Sequence, residues 1–207
     1  DFAEAIPDHT FNYILFEACF MAGIEVAYEL RNKANYILAS SSEIISLGFT
    51  PVYAEAINSL FEHNLSRFGQ LYFKYIYAQT GYRCSATLSV IKTSELTPLA
   101  NWIKANSDKT REVIVEDIQR FDRYPYRLFF DFGAYYSCLI DEDKQNELQQ
   151  LINNCIVWKD ATPTFMPNDG GFVINSYSGL SVYIPQAKFI TLNEAYKKLE
   201  WYKALLL

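Results

Sequence analysis

Residues 11–30 read FNYILFEACFMAGIEVAYEL, and how this stretch is parsed decides the fold. Residues 11–18 are apolar with hardly any alternation, the pattern of a strand buried on both faces. From residue 21 the period changes. Ile24, Val26, Ala27 and Leu30 follow helical spacing, and the basic Arg31 and Lys33 mark its end. Glu17-Ala18-Cys19 falls at the changeover. One reading is a small polar interruption with a packing cysteine, since free Cys is among the most buried residue types. The other is a reactive thiol at the mouth of a sheet. Three residues do not decide between them.

Outward from this stretch the chain keeps alternating. Tyr36-Ile37-Leu38-Ala39 reads as a second short strand, followed by Ser40-Ser41-Ser42-Glu43. Residues 44–53, with Gly48 and Pro51, read as a loop, and helical patterns fill 53–79. SATLSVIKT at 85–93 reads as a strand, and Thr93 or Ser94 caps a helix with Trp102 and Ile103 on its apolar side. Strand, helix, strand, helices, strand, helix predicts an α/β layered domain with a largely parallel sheet. The second half is less regular. It reads as a helix over 110–122, the aromatic stretch YPYRLFFDFGAYY and a helix over 142–155. FVINSY and LSVYIP then form a hairpin around Gly179, and NEAYKKLEWYKAL makes a last amphipathic helix. Residues 1–107 are thus expected to form the α/β core, with 108–207 packed on it in the same compact unit.

The bulk numbers bound the function. Of 207 residues, 50% are hydrophobic, and sixteen tyrosines and fifteen phenylalanines argue against disorder. A formal charge of -6 without a basic run argues against nucleic acid as a partner. No apolar stretch reaches bilayer-spanning length, and no signal sequence opens the chain. A start at Asp1 rather than Met suggests a processed or trimmed chain. None of Cys19, Cys84, Cys138 and Cys155 has CxxC spacing, so the sequence gives no zinc or dithiol pattern. Cys84, Cys138 and Cys155 are expected to be small core residues. Their even-numbered set with Cys19 permits disulfides without requiring them.

Cys19 invites a chemical reading. Reactive groups gather at the carboxyl ends of strands in doubly wound sheets, so Cys19 and Ser40–Glu43 are expected to face one crevice. A helix starting directly after Cys19 would favour thiolate with its positive end. Backbone N–H groups of the turn could receive an oxyanion. Glu17, two residues earlier on an extended chain, would share the face of Cys19 at roughly 6–7 Å. A negative neighbour raises a thiol's pKa, so Glu17 reads as a recognition group for a cationic side chain rather than an activator. The plainer alternative is a Glu paired with a Lys or Arg of its own fold. A thiol nucleophile needs a base, usually His. His9 lies about 30 Å before Cys19 along an extended chain, and His63 lies far off on a helical pattern. The base is therefore expected outside this chain.

These residues resemble the clostripain-like cysteine peptidases. FEACFMAGIEVAYEL is similar to the family's nucleophile block, F-D-A-C-x-M-x-x-x-E-V-A-Y-E-L. ASSSEIISLGFTPVY resembles its Ala-Ser strand end, Glu and Gly-aromatic-Pro-Tyr loop, interrupted by Thr50 and Val52. SATLSVIKTSEL, FFDFGAYY, GLSVYIPQ and KKLEWYKAL are similar to later blocks in the same order.

The resemblance implies a caspase-like α/β/α sandwich, with a mostly parallel central sheet and a C-terminal α+β extension. It implies a cysteine endopeptidase cutting after Arg or Lys, with Cys19 as nucleophile. Glu17, where the family usually has Asp, matches the acid at the floor of the pocket for the basic residue, and Glu43 matches a position on the neighbouring active-site loop. The family's catalytic His lies in an upstream His-Gly segment, commonly cleaved into a separate light chain that stays bound. Asp1 would then lie near the start of the heavy chain, and part of the sheet would be left unpaired without its partner. Family members are exported by bacteria, which implies a secreted or cell-envelope setting. Calcium is left open as a cofactor, since the type member uses it and no EF-hand-like loop is present. Two rivals stand beside this reading: a catalytically inactive binding or scaffolding module, and an α/β hydrolase or transferase with another acceptor.

Overall fold

The computed structural model describes residues 2–123 and 125–206. After a short helix α1 (Phe2–Ala5), strand β1 (Phe11–Leu15) leads through a turn into helix α2 (Ile24–Glu29), and β2 (Ala34–Ala39) follows. Two helices come next, α3 (Tyr53–Phe61) and α4 (Leu65–Tyr77). The Asn64 side chain caps α4 by accepting the Arg67 N–H at 3.0 Å. Leu65, Phe68, Tyr72 and Ile76 of α4 are buried along one stripe. Strand β3 (Thr87–Lys92) precedes α5 (Leu96–Asn106), which buries Leu96, Leu99, Ala100 and Ile103 at helical spacing. The remainder holds β4 (Phe130–Asp131), α6 (Phe132–Leu139), α7 (Gln145–Cys155), β5 (Ile156–Ala161), β6 (Thr164–Phe165), β7 (Phe172–Val173), β8 (Ser181–Val182), α8 (Ile190–Tyr196) and α9 (Glu200–Leu206).

The main sheet has the order β1-β2-β3-β5. Strand periodicity divides its side chains between two apolar layers. Ile37, Ala39 and Ile91 join the layer built from α2, α5, α6, α7 and α9. Leu38, Leu88 and Val90 join the layer built from α3 and α4. The expected α/β/α arrangement is therefore present, and the first apolar layer draws on both halves of the chain.

The direction of the strands differs from expectation. Only β1 and β2 are parallel, while β2–β3 and β3–β5 are antiparallel, so the described sheet is mixed. The cause is the connection after β2. Two helices in succession return the chain to the sheet end it left, and Ala39, the last residue of β2, pairs with Ser89 near the start of β3. A single crossover helix would instead have carried the chain to the other end for a parallel strand. Strand β5 escaped the sequence reading because Lys159 and Asp160 interrupt its apolar character. Trp158 secures it by packing on Phe73 and over Gly69, where any side chain would collide with the indole.

Two further expectations fail. Residues 110–122 contain only a 3-10 turn at Val115–Asp117. Three β-branched residues in a row, Val113-Ile114-Val115, disfavour a helix, and Asp108 turns the preceding chain by accepting the Thr110 N–H. The runs at 172–185 do not pair with each other. Gly179 does turn at φ +97, but β7 pairs with β6, and β8 pairs with β4. Asp131 fixes that arrangement by capping α6 at Ala134 N–H and accepting the Ser178 N–H.

Strand β1 has β2 as its single neighbour among the described residues, and Phe11 is 44% exposed. Apolar residues on an open edge invite a further strand.

Helix α2 is tied to the second half of the chain. Ser181 N–H donates to Ala22 O, and Glu25 accepts the Tyr183 N–H at 2.8 Å. Burial pushes the Glu25 carboxyl up to about 7, from an ordinary 4.5. The folded protein therefore holds a proton there that the unfolded chain releases near 4.5, and stability falls as pH rises through that window. Glu25→Gln keeps an acceptor for Tyr183 without the charge. Its thermal midpoint relative to the parent should climb by several degrees between pH 4.5 and pH 8. A difference that stays flat across that range would contradict the buried carboxyl.

Candidate active site

Because β1 and β2 are parallel, their carboxyl ends open at the same end of the sheet. Their pairing continues past both strands. Phe16 N–H donates to Leu38 O at 2.9 Å, Phe20 N–H to Ser42 O at 3.0 Å, and Ala22 N–H to Ser40 O at 2.9 Å. Glu17, Ala18 and Cys19 lie between these bonds, and all three are exposed. The polar interruption in the apolar run is thus a protrusion from the sheet's mouth.

Cys19 Sγ accepts a hydrogen bond from Ile44 N–H at 3.3 Å, with Ile44 O at 4.0 Å. Phe20, the next residue, has φ +62, an uncommon backbone for a bulky side chain and a form of strain concentrated at functional sites. Its ring stacks on Phe129, with centroids 4.3 Å apart and planes 8° from parallel. Helix α2 does not start at Cys19 as expected. A turn intervenes, Gly23 is the N-cap, and the helix begins at Ile24. The backbone group that meets the sulfur is therefore the Ile44 N–H rather than a helix terminus. Of the turn's backbone N–H groups, expected to be able to receive an oxyanion, those of Phe20 and Ala22 are committed to the Ser42 and Ser40 carbonyls.

Glu17 is held by the loop before α3. Its Oε1 accepts Phe49 N–H at 2.6 Å, and its Oε2 accepts the Tyr53 hydroxyl at 2.8 Å. Burial, and then the bond to Glu17, push the Tyr53 hydroxyl up to about 12, so it remains a donor at neutral pH. Among the described residues no Lys or Arg forms an ion pair with Glu17. Its carboxylate is fixed in direction and has no ion-pair partner among the described residues. Gly48 makes this geometry feasible. It has φ +50, and a methyl group there would occupy the space of Glu17 Oε1.

Glu43 sits differently. Arg123 grips it through both oxygens, Nε to Oε2 at 2.5 Å and Nη2 to Oε1 at 2.9 Å. Arg123 also donates to Asp169 Oδ2 at 2.8 Å. This ion-pair set ties three loops around a cavity of about 500 Å³, bordered by Phe20, Glu43, Asp122, Arg123 and Phe129. The Ser40–Ser42 run does not face the crevice as expected. All three serines are buried, at 1%, 0% and 0% exposure.

Neither histidine reaches the sulfur. His9 N–H bonds Asn32 O at the amino end of β1, and the His63 ring packs on Tyr13. All four cysteines are free thiols. Cys155 is buried as expected, and burial pushes its thiol up to about 12. Cys84 is half-buried and Cys138 exposed, so neither is a core residue. Among the described residues no group of three or more His, Cys, Asp or Glu side chains converges on a point where it could hold a metal ion. Sequence reasoning missed the Ile44 and Phe49 N–H groups, Tyr53 and Arg123. Gly48 was the one available signal, since a glycine in a loop marks positive φ or close approach.

Among solved structures the chain is similar to an inactive zymogen C11 protease from Parabacteroides distasonis, at 32% identity and a TM-score of 0.87, covering 99% of this chain and 61% of that one. It is also similar to a clostripain from Bacteroides thetaiotaomicron in complex with the peptide inhibitor BTN-VLTK-AOMK, at 28% identity and a TM-score of 0.85, covering 95% of this chain and 87% of that one. A secreted cysteine protease of the same organism, iotapain, matches at 28% identity and a TM-score of 0.83, covering 94% of this chain and 55% of that one. The chain thus spans about three fifths of the Parabacteroides protein. No curated protein sequence matches it. The model of the clostripain family matches residues 1–200, and the chain belongs to that family of cysteine proteases.

Proposed function

We propose that this chain is the nucleophile-bearing part of a cysteine endopeptidase that cleaves after Arg or Lys. The observation that carries the reading is the state of Glu17. Its two oxygens are oriented by neutral donors, Phe49 N–H and Tyr53 OH, and no cation of the described residues neutralises it. A carboxylate with no ion-pair partner among the described residues, two residues before an exposed thiol, suits a guanidinium or ammonium group of a substrate. The lysine that ends the peptide portion of the Bacteroides neighbour's inhibitor supports the same reading.

In this mechanism the basic side chain docks on Glu17 and its carbonyl carbon comes to Cys19 Sγ. The thiol proton passes to an imidazole, and the sulfur–carbon bond forms as the carbonyl electron pair moves to oxygen. The carbon–nitrogen bond then breaks, and the leaving amine takes a proton from an imidazolium. Water next attacks the thioester, releasing the acid and returning the thiol. That imidazole comes from an upstream light chain, since His9 and His63 lie elsewhere. The open edge of β1, the strand that leads into the nucleophile, is where the same segment adds its strands. Glu43 supports substrate binding indirectly, holding Arg123 and the loop at Asp169 around the cleft. The two halves, 1–107 and 108–207, act as one unit. The setting is extracytoplasmic: a secreted neighbour supports it, and no helix of the described residues is long and apolar enough to cross a membrane.

The test uses the complete two-chain protein. An arginyl or lysyl chloromethyl ketone should label Cys19, and Glu17→Gln should lower labelling and kcat/KM on basic peptides by at least 100-fold, about 3 kcal/mol. Iodoacetamide should still alkylate Cys19 in that variant, at no less than the parent rate. A folded parent whose Cys19 takes iodoacetamide but never the peptidyl ketone is the inactive scaffolding module instead.

Gly48→Ala tests the pocket from its other side. The added methyl displaces the Glu17 carboxylate, so kcat/KM for basic peptides should fall by at least tenfold. Unchanged kinetics in a folded variant would remove Glu17 from the pocket.

A further inference from the structure

Strand β3 carries hydroxyls where a strand in the middle of a sheet should be apolar. Thr87 and Ser89 share a face with Ile91, and their exposures are 1% and 0%. A buried hydroxyl is costly unless its bonds are made. Ser89 meets that need locally by donating to Gly179 O at 2.5 Å. Thr87 points at the active-site loop. Its Oγ1 lies 2.9 Å from Ser40 Oγ, 2.9 Å from Ser42 Oγ and 3.0 Å from Ser42 N.

The directions of these bonds follow from donor and acceptor counts. A hydroxyl donates once and accepts twice. Ser40 Oγ donates to Ser42 O at 3.0 Å, so it accepts from Thr87. Thr87 then accepts from Ser42 N–H, which also lies 3.3 Å from Ser40 Oγ, and meets Ser42 Oγ, whose other acceptor is Glu43 O at 3.4 Å. Both ends of the peptide unit at Ser42 are pinned in this way. Its N–H is held by Thr87, and its carbonyl takes the Ser40 hydroxyl and the Phe20 N–H. Two residues on, Ile44 N–H meets Cys19 Sγ. The route from Thr87 to the nucleophile is therefore Thr87 to Ser42, from there to Phe20 through its N–H and to Ile44 through the chain.

We propose that Thr87 is a positioning residue for the Cys19 nucleophile, acting through Ser42 to fix both the strained Phe20 turn and the Ile44 N–H on the sulfur. This inference rests on the peptidase reading for its role in turnover, but not for its effect on the thiol. Thr87 touches no reacting atom. Its hydroxyl determines where the loop that contacts Cys19 can sit. Val in its place would leave the Ser42 N–H with only the longer contact to Ser40 Oγ at 3.3 Å and the Ser42 hydroxyl with only Glu43 O at 3.4 Å.

Thr87→Val, Thr87→Ser and Ser40→Ala in the complete two-chain protein test this. Thr87→Val should lower kcat on a basic peptide substrate at least tenfold with KM within threefold of the parent. Iodoacetamide alkylation of Cys19, followed by mass spectrometry with Cys138 as internal control, should slow at least fivefold. Thr87→Ser should return both readouts to within threefold of the parent. Ser40→Ala, which removes one member and less volume, should shift both in the Thr87→Val direction and carries the test if Thr87→Val does not fold. Parent-like alkylation of Cys19 in folded Thr87→Val, or in Ser40→Ala should the former not fold, overturns the proposal. So does a Thr87→Ser protein as impaired as Thr87→Val, because the lost group would then be packing volume. If the parent cleaves no peptide at all, the alkylation rates still decide the role of Thr87, and the failure belongs to the peptidase reading.

Discussion

The structure around Cys19 depends on the backbone pairing that β1 and β2 keep after both have ended. Hydrogen bonds from Phe16, Phe20 and Ala22 to Leu38, Ser42 and Ser40 hold the two chains together on either side of residues 17–19. Those three residues therefore protrude at a fixed place rather than as a loose loop. A thiol and a carboxylate held on such a base need little further ordering when a peptide arrives, which is where loops usually lose binding energy. The strained φ of Phe20 is tolerated because pairing on both sides over-determines it.

Charge is distributed unequally across the site. Glu43, the other acid near the cleft, is saturated by Arg123 and works as a strut between loops. Glu17 receives the same number of hydrogen bonds, but from neutral groups rather than from a cation. Hydrogen bonds to neutral donors fix a carboxylate's direction without cancelling its field, and a cation arriving there meets a pre-oriented partner.

Much of this was legible in residues 11–43, where period, charge and motif agree. The apolar run, the change to helical spacing and the Glu17-Ala18-Cys19 interruption located the strand, the turn and the exposed thiol. Yet β1 ends at Leu15 and none of its residues is buried, against the expected strand over 11–18 covered on both faces. Strand direction was not legible, because a helical hairpin and a single crossover helix leave the same pattern of elements in sequence order. Trp158 and its strand were hidden because Lys159 and Asp160 break the alternation on an edge that tolerates charge. The helix expected at 110–122 was lost to β-branched side chains whose cost outweighed a weak periodicity. Within the site, the groups that orient Glu17 and Cys19 are largely backbone N–H groups of Phe49 and Ile44. Every residue but proline has one, so no side-chain pattern announces them.

The central claim is that the charge of Glu17, rather than its shape, selects the substrate. It is tested most directly by comparing two peptides that differ only in arginine or citrulline before the scissile bond, assayed on this chain together with its proposed light chain. Citrulline keeps the length and most donors of arginine and removes its charge. The account predicts kcat/KM at least 100-fold higher for the arginine peptide. Equal values for the two peptides would contradict it.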